Sequence, residues 1–343
     1  MSRARLAPGA TLAADLGGTK IAVARVSAGG RVSGYATTPT PAGGRAIVDR
    51  LAEMLATLLP PAGGERAAGA GVAGAREAGR RGAGRRGAEK SGVTLSPPRV
   101  AVSIPGLAYP NGDVWAPNLP GWRRMPLGRL LRRRLRLPVL VESDRNAFIA
   151  GEVWRGAARG ASDAILLAVG TGIGAGIWCG GRLLRGHAEL SGSVGWMALR
   201  PDFLPGYRRC GGLESHAAGP ALARAAQAEF GLPLTASELA QRARRGDAAA
   251  RRLLRQAGEE LGRAMANLVS ILNPQVIVLS GGVAAAGDWL LAPARRELRR
   301  WAQPLAARQV RVRRSTLGPQ AALLGAARLA RLSARPPRDA STF

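Results

Sequence analysis

An acid, two glycines, a hydroxyl and an ammonium stand together at Asp15-Leu16-Gly17-Gly18-Thr19-Lys20, a set of groups that suits a phosphate chain. Glycines let backbone N–H groups turn toward an anion, and Thr19 adds a hydroxyl donor. Asp15 is placed to hold a hydrated Mg²⁺ beside such a chain. The same residues also suit an ordinary hairpin with an exposed acid. A second run, Val169-Gly170-Thr171-Gly172-Ile173-Gly174-Ala175-Gly176, repeats the glycine-and-threonine design. A dinucleotide fingerprint would open a helix at that point. Here the glycines run on into Ile177-Trp178-Cys179 and then Gly180-Gly181, which predicts a hairpin and excludes the dinucleotide reading. Two such turns facing each other could grip one polyphosphate from both sides.

A proton acceptor is available at Ser143-Asp144-Arg145-Asn146, which follows the apolar run Pro138–Glu142. In an open α/β sheet, side chains at the C-terminal end of a strand meet the ligand. An acid there can take a proton from an attacking hydroxyl, and it can equally cap the helix that follows. Ser280-Gly281-Gly282, after the apolar run Gln275–Leu279, lets a nucleoside approach the backbone closely.

These residues need strands and helices in a definite order. Strands 11–15, 20–26 and 32–37 form an antiparallel meander around the first glycine turn. Ile47, Leu51, Met54, Leu55 and Leu58 fall at helical spacing before Pro60-Pro61. Residues 62–97 are an Ala/Gly/Arg tract with almost no large apolar side chain and read as a disordered insertion. Strand 99–104 closes on Pro105-Gly106, and Trp115, Pro117, Asn118, Leu119, Pro120, Gly121 and Trp122 follow in a loop. A helix over 127–136, a strand over 138–142, a helix over 146–156 and a strand over 164–169 come next. Residues 219–271 read as helical, 275–279 as a strand, and a last helix begins near Pro319 and returns to the first domain.

At 343 residues the chain has room for two domains. Net charge is +28, but all basic residues except Lys20 and Lys90 are arginine and they are spread along the chain. Spread charge without aromatic or motif support argues against dedicated nucleic-acid binding. Cys179 and Cys210 have no CxxC spacing, so neither a disulfide framework nor a cysteine-only zinc site is indicated. No apolar run reaches membrane-spanning length, and a soluble cytoplasmic protein is expected.

In these motifs the chain resembles the ROK family of the actin-like ATPase superfamily. Asp15–Lys20 resembles its first phosphate motif and Val169–Gly176 the second. Asn273-Pro274 with Ser280-Gly281-Gly282 resembles the adenosine segment, and Asp144-Arg145-Asn146 the catalytic stretch. Ile104-Pro105-Gly106 and Pro117–Trp122 resemble its sugar-binding loops. The resemblance implies two ribonuclease-H-like α/β domains around a cleft. It places residues 1–122 in the first, completed by a helix at about 317–333, and 123–316 in the larger second.

The implied reaction is phosphoryl transfer from ATP, with Mg²⁺, to a hexose or N-acylhexosamine, and a homodimer is compatible with it. Asp144 would be the base. Asp15, Gly17, Gly18, Thr19, Lys20, Gly170, Thr171, Gly172, Gly174, Gly281 and Gly282 would bind nucleotide. Gly106, Asn118, Ser143, Asp144, Ser193 and Glu214 would bind sugar. The alternative is a catalytically weak ROK-like protein that binds a sugar or nucleotide as a sensor; the family's repressors carry a helix-turn-helix for which the residues before Asp15 are expected to leave no room.

Three departures from the family pattern stand out. Ser143 replaces an asparagine, and Ser193-Val194-Gly195-Trp196 replaces a Glu-x-Gly-His segment. The cysteine-rich zinc loop is reduced to Tyr207-Arg208-Arg209-Cys210-Gly211-Gly212-Leu213-Glu214. Tetrahedral zinc needs about four N/S ligands, so no structural zinc is expected, with Trp196 packing into the vacated space and Glu214 kept as a sugar contact.

Overall fold

The computed structural model describes residues 8–60 and 99–333. The 62–97 tract lies outside the described residues. The first sheet begins with β1 (Thr11–Leu16), β2 (Lys20–Val26) and β3 (Val32–Pro39), followed by helix α1 (Gly44–Thr57). It continues through β4 (Arg99–Ile104), the short pair β5 (Leu107–Ala108) and β6 (Val114–Trp115), α2 (Leu127–Leu135) and β7 (Val139–Ser143). The strand order is β3-β2-β1-β4-β7, antiparallel across β1, β2 and β3 and parallel across β1, β4 and β7.

Helix α3 (Asp144–Arg155) leads to a second sheet built from β8 (Ala164–Val169), β9 (Ile173–Cys179) and β10 (Arg182–Leu183). After the short helices α4 (Tyr207–Cys210) and α5 (Gly212–Ala217) come α6 (Gly219–Phe230), α7 (Ala236–Arg244) and α8 (Ala248–Leu272). Strand β11 (Val276–Ser280), α9 (Asp288–Trp301), α10 (Pro304–Gln309), β12 (Arg311–Arg314) and α11 (Ala321–Leu332) complete the fold. The second sheet runs β10-β9-β8-β11-β12, the same order and the same mix of directions as the first.

Alternation along the strands explains the layers. Leu12, Ala14 and Leu16 of β1 face α1 and α2, while Ala13 packs with Leu323, Leu324 and Ala327 of α11. In β8, Ile165, Leu167 and Val169 face the α5–α9 layer, and Ala164 and Leu166 face Ile149 and Ala150 of α3. Helices α3 and α11 therefore lie between the two sheets. They cross at glycines: a Cβ on Gly325 would stand 1.6 Å from the Ala147 carbonyl oxygen, and one on Gly151 2.5 Å from that of Ala321.

Two expectations are corrected. A domain boundary between residues 122 and 123 cuts through the first sheet, because β7 pairs with β4 and Leu127, Leu131 and Val141 share its core. The first sheet ends at Ser143 instead. The helical stretch 219–271 is three helices. Gly231 breaks it at φ +72°, and Thr235 and Asp247 cap the next two starts by accepting the amides of Glu238 and Ala250. Among the described residues no helix is long and apolar enough to cross a membrane.

Candidate active site

The parallel strands β1, β4 and β7 end together. In register, Asp15 lies beside Ser103, Ser103 beside Glu142, and Ile104 beside Ser143. Asp144 is the next residue and opens α3, where the Arg145 amide donates to its Oδ1 at 2.7 Å. Burial pushes the Asp144 carboxyl up to about 6, and the nearby negative charge of Asp15 adds to the effect. Burial also raises Asp15, with the Ser103 hydroxyl and Lys20 offsetting part of the rise. The hydroxyls of Ser103 and Ser143 are buried, and neither meets the geometry of a hydrogen bond. Buried hydroxyls beside two acids fit a site that a hydrated cation and a polyhydroxyl substrate would complete.

A charged network that the sequence reading missed lies behind Asp144. Glu142, 2% exposed, accepts the Ser143 amide at 3.0 Å and Asn146 Nδ2 at 2.9 Å. Arg185 closes on Glu142 at 2.6 Å and on Glu189 at 2.8 Å, and Arg145 donates to the Glu189 carbonyl oxygen at 3.1 Å. The signal was present in the sequence as an acid at the end of an otherwise apolar run.

The first turn of α3 lies directly on the second glycine hairpin. A Cβ on Gly176 would stand 2.2 Å from the Arg145 carbonyl oxygen, and one on Gly174 3.7 Å from Arg145 Cδ. The hairpin's turn is held from two sides: Gly219 N–H donates to the Gly170 carbonyl oxygen at 2.8 Å, and the Ile173 amide donates to Glu214 Oε2 at 2.6 Å. Gly281, at φ +92°, sits where a Cβ would be 2.3 Å from the Val169 carbonyl oxygen, so only glycine brings the β11 end onto the β8 end. At Gly18, Gly170 and Gly282 a Cβ would meet nothing, and Thr19, Lys20 and Thr171 are exposed. Bare backbone beside free hydroxyls fits a phosphate chain.

The sugar-loop residues fare unevenly. Gly106, at φ +134°, has the Trp115 carbonyl oxygen 2.3 Å from where a Cβ would be, which brings the start of β5 close against the end of β6. Trp122 is buried with Nε1 donating to the Gly44 carbonyl oxygen at 3.2 Å, and this anchors the loop that leaves Asn118 exposed. Ser193 is exposed, and its hydroxyl donates back to the Leu190 carbonyl oxygen at 2.8 Å. Glu214 is tied to the glycine turn, and burial raises its carboxyl. Trp196 is 57% exposed, so it does not fill lost space as expected. The loop curls outward at that residue and sets the ring on the rim of a cavity of about 360 Å³, shared with Phe203 and Tyr207.

The same loop carries the two side chains that could contribute to a structural zinc. Cys210 Sγ lies 3.2 Å from Ser215 Oγ, and His216 Nε2 lies 2.6 Å from the Tyr207 hydroxyl. One sulfur and one imidazole, each engaged inside the loop, do not fit a tetrahedral site. Among the described residues no group of three or more His, Cys, Asp or Glu side chains could hold a metal ion.

The model of the ROK family matches residues 89–332. A glucokinase of Streptomyces coelicolor is 32% identical over 350 residues, covering 94% of this chain and 98% of the relative. A glucokinase of Thermotoga maritima is 30% identical over 334 residues, covering 91% and 94%. The ROK hexokinase of Thermus thermophilus superposes with a TM-score of 0.74 at 33% identity, covering 94% of this chain and 98% of that one. The ROK glucokinase of Streptomyces griseus, solved with glucose and AMPPNP, gives 0.71 at 29% identity, covering 94% and 99%.

Proposed function

The chain belongs to the ROK family, and from that premise we propose that it phosphorylates a hexose or N-acylhexosamine with ATP. The observation that carries the proposal is Asp144, raised to about 6 at the end of β7, beside Asp15 and against the second glycine hairpin. In this reading Asp144 accepts the proton of the attacking sugar hydroxyl. The sugar oxygen bonds to the γ-phosphorus as the bond to the bridging oxygen of ADP breaks, and ADP leaves. A base with a pKa near the working pH is deprotonated yet still basic enough to take that proton.

Gly17, Gly18, Thr19 and Lys20 would hold the phosphates from one side, and Gly170, Thr171, Gly172 and Gly174 from the other. Gly281 and Gly282 would take the nucleoside. Mg²⁺, bound through water to Asp15, would neutralise charge on the transferring phosphoryl group. Gly106, Asn118, Ser143, Ser193 and Glu214 would line the sugar site. Structural zinc is not part of this reading.

The test is an ATP-consumption screen over hexoses and N-acetylhexosamines, with Asp144→Asn as control. Turnover on at least one sugar that the variant lacks is expected. Saturable sugar binding with no ATP consumption would instead support a sensor.

A further inference from the structure

Between Ser193 and Glu214 the chain makes a loop that ends in α4 and α5, helices of four and six residues. Helices this short do not hold their own shape. What holds these two is a set of side-chain bonds. The Tyr207 hydroxyl and His216 Nε2 stand 2.6 Å apart and join the start of α4 to the end of α5. Tyr207 is buried, and its ring meets His216 and Phe203 edge-on, with centroids at 5.7 and 5.8 Å. Ser215 Oγ donates to the Gly211 carbonyl oxygen at 2.7 Å, within 3.2 Å of Cys210 Sγ.

Midway along this bonded unit sits Glu214, whose carboxylate receives the Ile173 amide at the second glycine turn. The Leu213 amide donates to the Met197 carbonyl oxygen at 3.2 Å, fastening α5 to the residue that follows the Ser193–Trp196 segment as well. Any tilt of α5 therefore moves the carboxylate that holds the turn.

We propose that the Tyr207–His216 hydrogen bond is a metal-free clamp that orients α5 and, through Glu214, holds the glycine turn at residues 170–173. Tyr207 and His216 are then positioning residues for phosphoryl transfer. The kinetic part of this proposal rests on the kinase function above, and the structural part does not.

The experiment pairs hydrogen exchange of residues 170–176, followed by mass spectrometry without ligand, with kcat and KM for ATP. Tyr207→Phe removes the bond and keeps the ring. It is expected to speed exchange of that segment about fivefold and to lower kcat/KM by a similar factor, the worth of one hydrogen bond. His216→Gln, which keeps a partner for the Tyr207 hydroxyl, should stay within about twofold of wild type. Phe203→Leu, at an exposed ring that touches Tyr207, spares the bond and should move neither readout. A Tyr207→Phe protein that melts earlier but exchanges residues 170–176 at the wild-type rate would overturn the clamp. So would about one zinc per purified chain whose removal reproduces the Tyr207→Phe exchange pattern. If no sugar is phosphorylated, the kinase function fails while the exchange comparison still decides the clamp.

Discussion

The two sheets share one strand order and one set of directions but carry different chemistry. Asp15 is the fifth residue of β1, paired in register with Ala22 and Ser103. Its counterpart in β8 is Ala168, paired in register with Gly174 and Ser280. The serine on the neighbouring strand recurs, and the acid does not. The end of the first sheet also carries Asp144 and the Glu142–Arg185 pair, whereas the end of the second carries the glycines Gly170, Gly281 and Gly282, two of them with open space where a Cβ would stand. One frame thus positions two kinds of group. In the proposed reading the first half supplies the acids and shares the phosphate chain with the second, and only the second offers glycines to the nucleoside. A shared frame does not imply a shared task, because function is carried by the site grafted on it.

The division breaks most sharply at Asp144. Asp144→Asn is expected to lower kcat by at least about a hundredfold, the scale for loss of a general base, with little change in KM for ATP. Steady-state kinetics on the best sugar from the screen checks this, and near-normal turnover would leave the first half without its assigned role. The next largest effect concerns the charged network behind the end of the first sheet. Arg185→Met removes the cation from the buried Glu142 and should cost about 2 kcal/mol of stability in urea unfolding, less than a fully buried pair because the Arg185 side chain is 40% exposed. A cost within about 0.5 kcal/mol, the range of ordinary surface substitutions, would mean water reaches Glu142.

Motifs made of short-range groups were legible from residues alone. The first meander, the second hairpin and the final helix stand where alternation and turn residues put them. Both glycine turns could be read because glycine and threonine identities are local. What sequence hid is tertiary. Nothing in Pro138–Glu142 tells that the strand pairs with 99–104, and so a boundary at residue 122 falls too early. Trp196 read as packing because a large apolar ring is normally buried. The cavity beside it depends on where the loop turns. Arg185 was one arginine among many, and only its meeting with Glu142 across 43 positions sets it apart.

The second half is probed through Gly281. Its positive φ and the 2.3 Å approach to the Val169 carbonyl oxygen leave no room for a methyl group. Gly281→Ala should push the β11 end away from β8 and raise KM for ATP about tenfold, roughly the effect of 1.4 kcal/mol of strain. The kcat value should change less than KM, because the acids of the first half are untouched. Loss confined to kcat would show that the glycine ends also carry the chemical step.

The smallest effect separates the halves by stability rather than rate. Asp144 has its carboxyl raised to about 6 by burial, above an ordinary value of 3.8. A raised acid favours the folded state below the unfolded pKa, and that advantage is lost as pH rises through the folded one. Wild type should therefore carry a penalty above about pH 6 that Asp144→Asn does not. Two pK units correspond to nearly 3 kcal/mol, but the residue is partly exposed to solvent, so about 1 kcal/mol is expected. For a chain of this size that is a melting temperature about 2 °C higher for Asp144→Asn at pH 7.5, measured without added magnesium. The gap should narrow between pH 6 and 4 and vanish below about pH 4. Ser280→Ala, at the matching end of the second sheet, should show no such pH-dependent gap. A variant no more stable than wild type at pH 7.5 would mean that the Asp144 carboxylate is better solvated than its place at the end of β7 implies.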